Sequence, residues 1–127
     1  MLNSAAQHVA PNEELVCPEG TGPVRSSIFH GDSACTSFLP CIDPDVRPHP
    51  HRTRTEHVFI LDGTAEEMLG DRTRNIKAGN TILIPVGTPH AVKVTGDAPL
   101  CAISGRSPYF DGRDRAGWTI GNRWPNT

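Results

Sequence analysis

No stretch of this sequence stays apolar for anything near the roughly 20 residues that span a bilayer. The opening residues, MLNSAAQHVAPNEELV, also lack a basic leader followed by an apolar segment. Neither a membrane span nor an export signal is expected, and the chain reads as a cytoplasmic protein without a membrane partner. An excess of one charge is missing too. Against 14 acidic residues stand 12 basic ones, a net charge of −2 over 127 residues. That field is too weak to draw the chain to nucleic acid or anionic lipid. The four cysteines, Cys17, Cys35, Cys41 and Cys101, form no CxxC pair, so a cysteine zinc site is not expected and reduced thiols are the default, with a disulfide between two of them left open. There is no internal repeat and no low-complexity segment, and the length suits one domain with one core.

What is present is punctuation. Glycine and proline each occur 12 times, spread between short apolar segments, which is the texture of an all-β domain rich in turns and leaves no room for long helices. Candidate strands are VRSSIF, ACTSFLP, VRPHPH, EHVFIL, EEML, RNIK, TILIP, HAVKVT and LCAIS. In HAVKVT the period of two puts His90, Val92 and Val94 on one face, so His90 points inward with the valines. The expected organisation is an N-terminal arm at 1–24, a barrel at 25–105 and a C-terminal arm at 106–127.

The stretch HPHRTRTEHVFILDG, residues 49–63, carries the chemistry. Alternation through VRPHPH places Arg47, His49 and His51 on one face. The prolines flanking His49 remove two backbone donors, so this segment belongs at an edge or at the mouth of a barrel. After the RTRT turn the parity resets: Glu56 shares a face with Val58 and Ile60, and His57, Phe59 and Leu61 share the other. A glutamate facing inward among apolar residues needs a cation or hydrogen-bond donors. By the same parity Arg47 should reach into the barrel, where its guanidinium needs an anion, either an acidic side chain or a substrate carboxylate or phosphate. His8 and His30 have no partner pattern. Gly63, Gly79 and Gly87 read as turn residues.

His49, His51, Glu56 and Gly63 resemble the first cupin motif, an HxH, a short gap, a glutamate, six residues and a glycine; Gly79, Pro85, Gly87 and His90 resemble the second. Fifteen residues separate Gly63 from Gly79, a spacing similar to that of compact single-domain cupins. Asp43 stands where the first motif often begins with glycine, and Val94 where the second often ends in asparagine; neither is a ligand position. The resemblance implies a double-stranded β-helix, a small jelly-roll barrel of two antiparallel sheets. It also implies one divalent transition metal per chain (Fe, Mn, Ni, Co or Zn), held by His49, His51, Glu56 and His90. Three imidazoles and a carboxylate suit such ions better than calcium or magnesium, and leave about two positions open for substrate or dioxygen.

The outward Phe59 and Leu61 need a cover, and a second copy of the chain is the expected one, with Trp118 and Trp124 of the C-terminal arm placed over the same protomer or across a homodimer. The reaction is expected to be that of a metal-dependent enzyme on a small organic substrate, of oxygenase, isomerase, decarboxylase or cyclase type. Glu56 is then the visible acid/base. Alternatives are a non-catalytic sensor or sequestering module, a metal-free sugar epimerase or isomerase, and a storage protein.

Overall fold

The computed structural model describes residue 19 and residues 22–51 and 53–108. Most of the two expected arms, with His8, Cys17, Trp118, Trp124 and the DGRDR cluster, lies outside the described residues. Nine strands follow one another: β1 (Val24–Gly31), β2 (Thr36–Ile42), β3 (Asp45–His49), β4 (Thr55–Asp62), β5 (Thr64–Leu69), β6 (Arg72–Lys77), β7 (Thr81–Ile84), β8 (His90–Val94) and β9 (Leu100–Ser107). Each of the nine expected strands is found. β9 runs past the expected end of the barrel at 105 and brings Arg106 into the sheet. Among the described residues no helix is long and apolar enough to cross a membrane.

The strands form two antiparallel sheets, one ordered β1-β2-β9-β4-β7 and the other β3-β8-β5-β6. Alternation shows directly in burial: every second residue of TILI and of LCAISGRS is buried, because successive side chains leave a strand on opposite faces. The core is built from both inner faces. Ile60, Ile82, Ile84, Leu100 and Ala102 come from the five-stranded sheet, and Ala65, Ile76 and Val92 from the four-stranded one.

One departure from strict alternation decides where the histidines lie. In β3 Val46 faces Val92 of β8, but the next partners are His49 and His90, so three residues on β3 advance against two on β8. This is a bulge of one extra residue, and it flips the parity. Val46 and His49 both face the barrel interior, while Arg47 is exposed. The expectation of an inward Arg47 is therefore corrected: the extra residue, beside a Pro48 that has no N–H to give to a ladder, turns the guanidinium out.

Cys41 and Cys101, exact opposites in the β2–β9 register with Cα atoms 4.2 Å apart, are joined by a disulfide. Of the two thiol states that the sequence leaves open, this pair takes the disulfide rather than the default reduced form. Their separation of 60 residues along the chain hides a proximity that only strand register reveals.

Gly63 ends the first motif at φ 95°, and a Cβ placed there would meet the Pro99 carbonyl oxygen at 2.6 Å. Gly79 and Gly87 also have positive φ, yet a Cβ would meet nothing within 4 Å at either. Gly63→Ala should therefore cost more stability than Gly79→Ala. The first combines backbone strain with a backbone clash and should lose on the order of 2–4 kcal/mol, and the second about 1 kcal/mol from strain alone. Urea denaturation of the two variants checks the order.

Candidate metal centre

The two sheets bring together residues far apart in the chain. Across the five-stranded sheet, Thr36, Arg106, Glu56 and Ile84 are successive cross-strand partners. Across the other sheet, His49, His90 and Leu69 form the matching row. His51 sits just beyond β3, its carbonyl accepting a hydrogen bond from the Gly87 N–H at 2.8 Å. The turn of the second motif thereby holds the last histidine of the first.

His49, His51 and His90 are 5 %, 1 % and 6 % exposed. Each offers a ring nitrogen, and these atoms all lie within 4.8 Å of one another. Ring centroids are 5.2, 4.3 and 4.9 Å apart for the pairs 49–51, 49–90 and 51–90. His49 Nδ1 donates to the Arg47 carbonyl at 2.8 Å, and His90 Nδ1 donates to the Thr88 carbonyl at 3.1 Å. A carbonyl can only accept, so both Nδ1 atoms carry the proton and both Nε2 atoms keep a lone pair. Burial pushes His90 down to about 4, against which the Thr88 carbonyl and Glu56 act upward. It is neutral at ordinary pH, as a ligand must be. All three histidines directly follow a proline, Pro48, Pro50 and Pro89. Three buried imidazoles, two of them with tautomers set by backbone carbonyls, fit a transition metal ion.

Glu56 is buried beside this group but is not one of the three. Ser104 Oγ donates to its Oε2. Its Oε1 lies 3.2 Å from His51 Nε2 and 3.3 Å from Arg106 Nε. Burial raises the carboxyl, but the hydrogen bond from His51, the Arg106 charge and the Ser104 hydroxyl outweigh it and hold it at about 2. The Arg106 guanidinium also lies over the Phe38 ring, 4.7 Å from its centroid. The barrel does hold an inward guanidinium, then, and it is Arg106 rather than Arg47.

Arg106, Ser104 and a third residue, Glu67, are absent from the sequence expectation. The alternation of LCAIS puts Ser104 on the inner face, and carrying it two residues further adds Arg106. The alternation of β5 likewise puts Glu67 inward with Ala65. Glu67 is 5 % exposed and lines the same cavity as His49, His90, Glu56 and Arg106. Its carboxyl is raised to about 7 by burial and by the nearby Glu56 charge, with Arg74 acting the other way. A second group, His30, Asp32 and Cys35, lies on the β1–β2 hairpin. There Asp32 accepts from the Ala34 and Cys35 backbone N–H groups and from His30, so turn geometry accounts for the cluster. His57 is exposed on the outer face.

These groups set opposing pH dependences in metal-free protein. His90 and Glu56 are depressed by folding, so their contributions are complete above about 6.5 and 4.5 and are lost as pH falls toward 4 and 2. Glu67 is raised, so its contribution is complete below about 4.5 and is lost as pH rises to about 7. The melting temperature of Glu67→Gln relative to the parent should accordingly climb between pH 4.5 and 7 and level off above, a change on the order of 2–3 kcal/mol. Thermal melts across that range in the presence of a chelator measure it.

A cupin-domain family model matches residues 40–105. Mannose-1-phosphate guanylyltransferase 2 of Escherichia coli O157:H7 is 38 % identical over 64 residues, a stretch that spans 50 % of this chain and 13 % of that protein. An uncharacterised protein of Methanocaldococcus jannaschii is 33 % identical over 66 residues, 52 % of this chain and 53 % of its own length. This chain thus spans about half or less of these curated relatives. Among solved structures, a double-stranded β-helix protein of Klebsiella pneumoniae superposes with a TM-score of 0.71 at 20 % identity, covering 87 % of this chain and 96 % of that one. A Lactobacillus farciminis oxalate decarboxylase in complex with formate superposes with a TM-score of 0.62 at 21 % identity, covering 78 % of this chain and 32 % of that one. At such identities the superpositions speak for the fold, while the family match takes in about half of the chain and the strands that carry His49, Glu56 and His90. This chain belongs to the cupin family.

Proposed function

We propose that this cupin is a metal-dependent enzyme acting on a small organic substrate, with His49, His51 and His90 holding one divalent transition ion. The observation that carries the reading is the meeting of three buried imidazoles, two of which, His49 and His90, line a cavity of ≈ 550 Å3, a volume suited to a small molecule. Glu56 is proposed as a fourth ligand: donors that share one ion stand about 3 Å apart when each bond is near 2.1 Å, and its Oε1 is 3.2 Å from His51 Nε2. An ion bound there supplies Lewis acidity, with open positions for substrate oxygens. Arg106 balances the carboxylate and keeps it ionised, and the aliphatic walls exclude water from the reacting end.

A second reading, a metal- or ligand-binding module without turnover, draws on one specific observation. Glu56, the acid/base candidate named from the sequence, is held at about 2 by His51, Arg106 and Ser104 against the effect of burial, which makes it a poor proton acceptor near neutral pH. Turnover assays on metal-loaded protein separate the two readings. Oxygen uptake and product formation over a panel of carboxylated and phenolic metabolites would decide between them.

The proposal extends to assembly and place. The outer face of the five-stranded sheet shows Phe59 at 43 % and Leu83 at 51 % exposure, with Ile103 directly opposite Phe59. We propose a homodimer through this face, in the cytoplasm. The Cys41–Cys101 bridge, of a kind rare in reducing compartments, is the observation that opposes the location.

Protein purified without added metal should contain close to one transition ion per chain by elemental analysis. His49→Ala and His90→Ala should each lower metal affinity by at least 10-fold to 100-fold, since even outer-shell losses cost that much. A double variant with full metal content would remove the assignment. Phe59→Lys should convert a micromolar dimer to monomer in sedimentation without changing metal content. A monomeric parent would end the assembly proposal and leave the site untouched.

A further inference from the structure

The cavity is strongly divided along its length. At one end stand His49, His90, Glu56 and Arg106, and beyond them the lining is mostly aliphatic. The next row of the four-stranded sheet reads Val46, Val92, Glu67, Arg74 in cross-strand order. Glu67 therefore lies one inward position below the histidine row, a displacement of about 7 Å along a strand. It faces the cavity among Val46, Val58 and Val92 and is 95 % buried, being 5 % exposed. None of the described residues gives its carboxyl a hydrogen bond or an ion pair; the charges that act on it are Glu56 and, from the edge strand, Arg74. A buried polar group without a protein partner costs stability unless a ligand or water meets it.

We propose that Glu67 is the second polar anchor of the cavity's ligand. The ligand is a compact, mostly apolar molecule whose oxygen-bearing head meets the histidine end and whose neutral oxygen acceptor, a carbonyl, ether or hydroxyl, takes a hydrogen bond from the Glu67 carboxyl one row below. This rests on the metal-site reading and specifies its substrate class. In the metal-free protein burial and the Glu56 charge raise the Glu67 carboxyl to about 7; in its protonated form it donates to an acceptor, and the valines around it make a second carboxylate or phosphate costly to bury. A polyhydroxylated sugar fits poorly, because its hydroxyls would be stranded against Val46, Val58, Val92 and Ile60.

The test uses the full chain loaded with Co(II), whose visible absorption reports an oxygen chelator arriving at the ion, at pH 6. Three hydroxamates share one head. Pentanohydroxamate has a plain tail, 4-oxopentanohydroxamate carries a carbonyl in it, and the monohydroxamate of succinic acid carries a carboxylate. The parent should bind the oxo compound about fivefold more tightly than the plain one, the size of one net hydrogen bond, and the carboxylate most weakly. Glu67→Leu should abolish the fivefold preference. Glu67→Gln, which is neutral and still donates, should keep the preference and the order of the three compounds. Equal affinities in the parent, or a preference that survives in Glu67→Leu, would overturn the proposal while cobalt uptake left the metal site standing. Failure of the parent to take up cobalt would overturn the metal reading and this proposal together.

Discussion

The one extra residue in β3 is the constraint on which the site depends. A strand in strict alternation can present Val46 or His49 to the interior, not both, and the barrel needs both: the valine closes the apolar wall and the histidine faces His90 across the ladder. The bulge satisfies the two demands within a five-residue strand. It also sends the Arg47 side chain outward and leaves its carbonyl to accept the His49 Nδ1 proton. One backbone irregularity thereby sets the direction, the tautomer and the neighbours of His49.

Electrostatics divides the interior. Arg106 and Ser104 compensate Glu56, so that carboxylate stays charged among buried groups, whereas Glu67, without a hydrogen-bond donor among the described residues, is pushed up by burial and by the Glu56 charge. Two glutamates in one cavity thus differ because of what their sheets place beside them. The one held low stands in the row shared with Arg106, in the five-stranded sheet, and the one pushed up stands between Val92 and Arg74 in the other sheet.

Much of this was legible in the residues. The spacing of glycine and proline between short alternating segments pointed to an all-β barrel, and the two motifs named the histidines that the sheets bring together. Parity also read Glu56 and His90 correctly as inward. It failed at Arg47, because a bulge next to proline leaves no mark in a pattern of period two. Ser104 already lies on the inner face of LCAIS by the same rule, and Arg106 was within its reach had the last strand been carried past residue 104. Glu67 was not singled out, since a glutamate pair in EEML reads as solvated until a partner strand shows which one faces in. The Cys41–Cys101 bridge depends on the β2–β9 register, and register is the property that a single sequence expresses least.

Each of the three histidines follows a proline directly, and that has a meaning for the disordered chain as well as for the folded one. A proline ring confines its own φ and biases the residue before it toward extended backbone. Around Pro48, Pro50 and Pro89 the chain therefore samples fewer shapes before it folds, and forfeits less freedom when the imidazoles converge. Part of the ordering that a metal would otherwise have to impose is built into the unfolded ensemble. The pocket of nitrogen donors should consequently stand in the metal-free chain, so that an ion would enter it without the chain having to rebuild it.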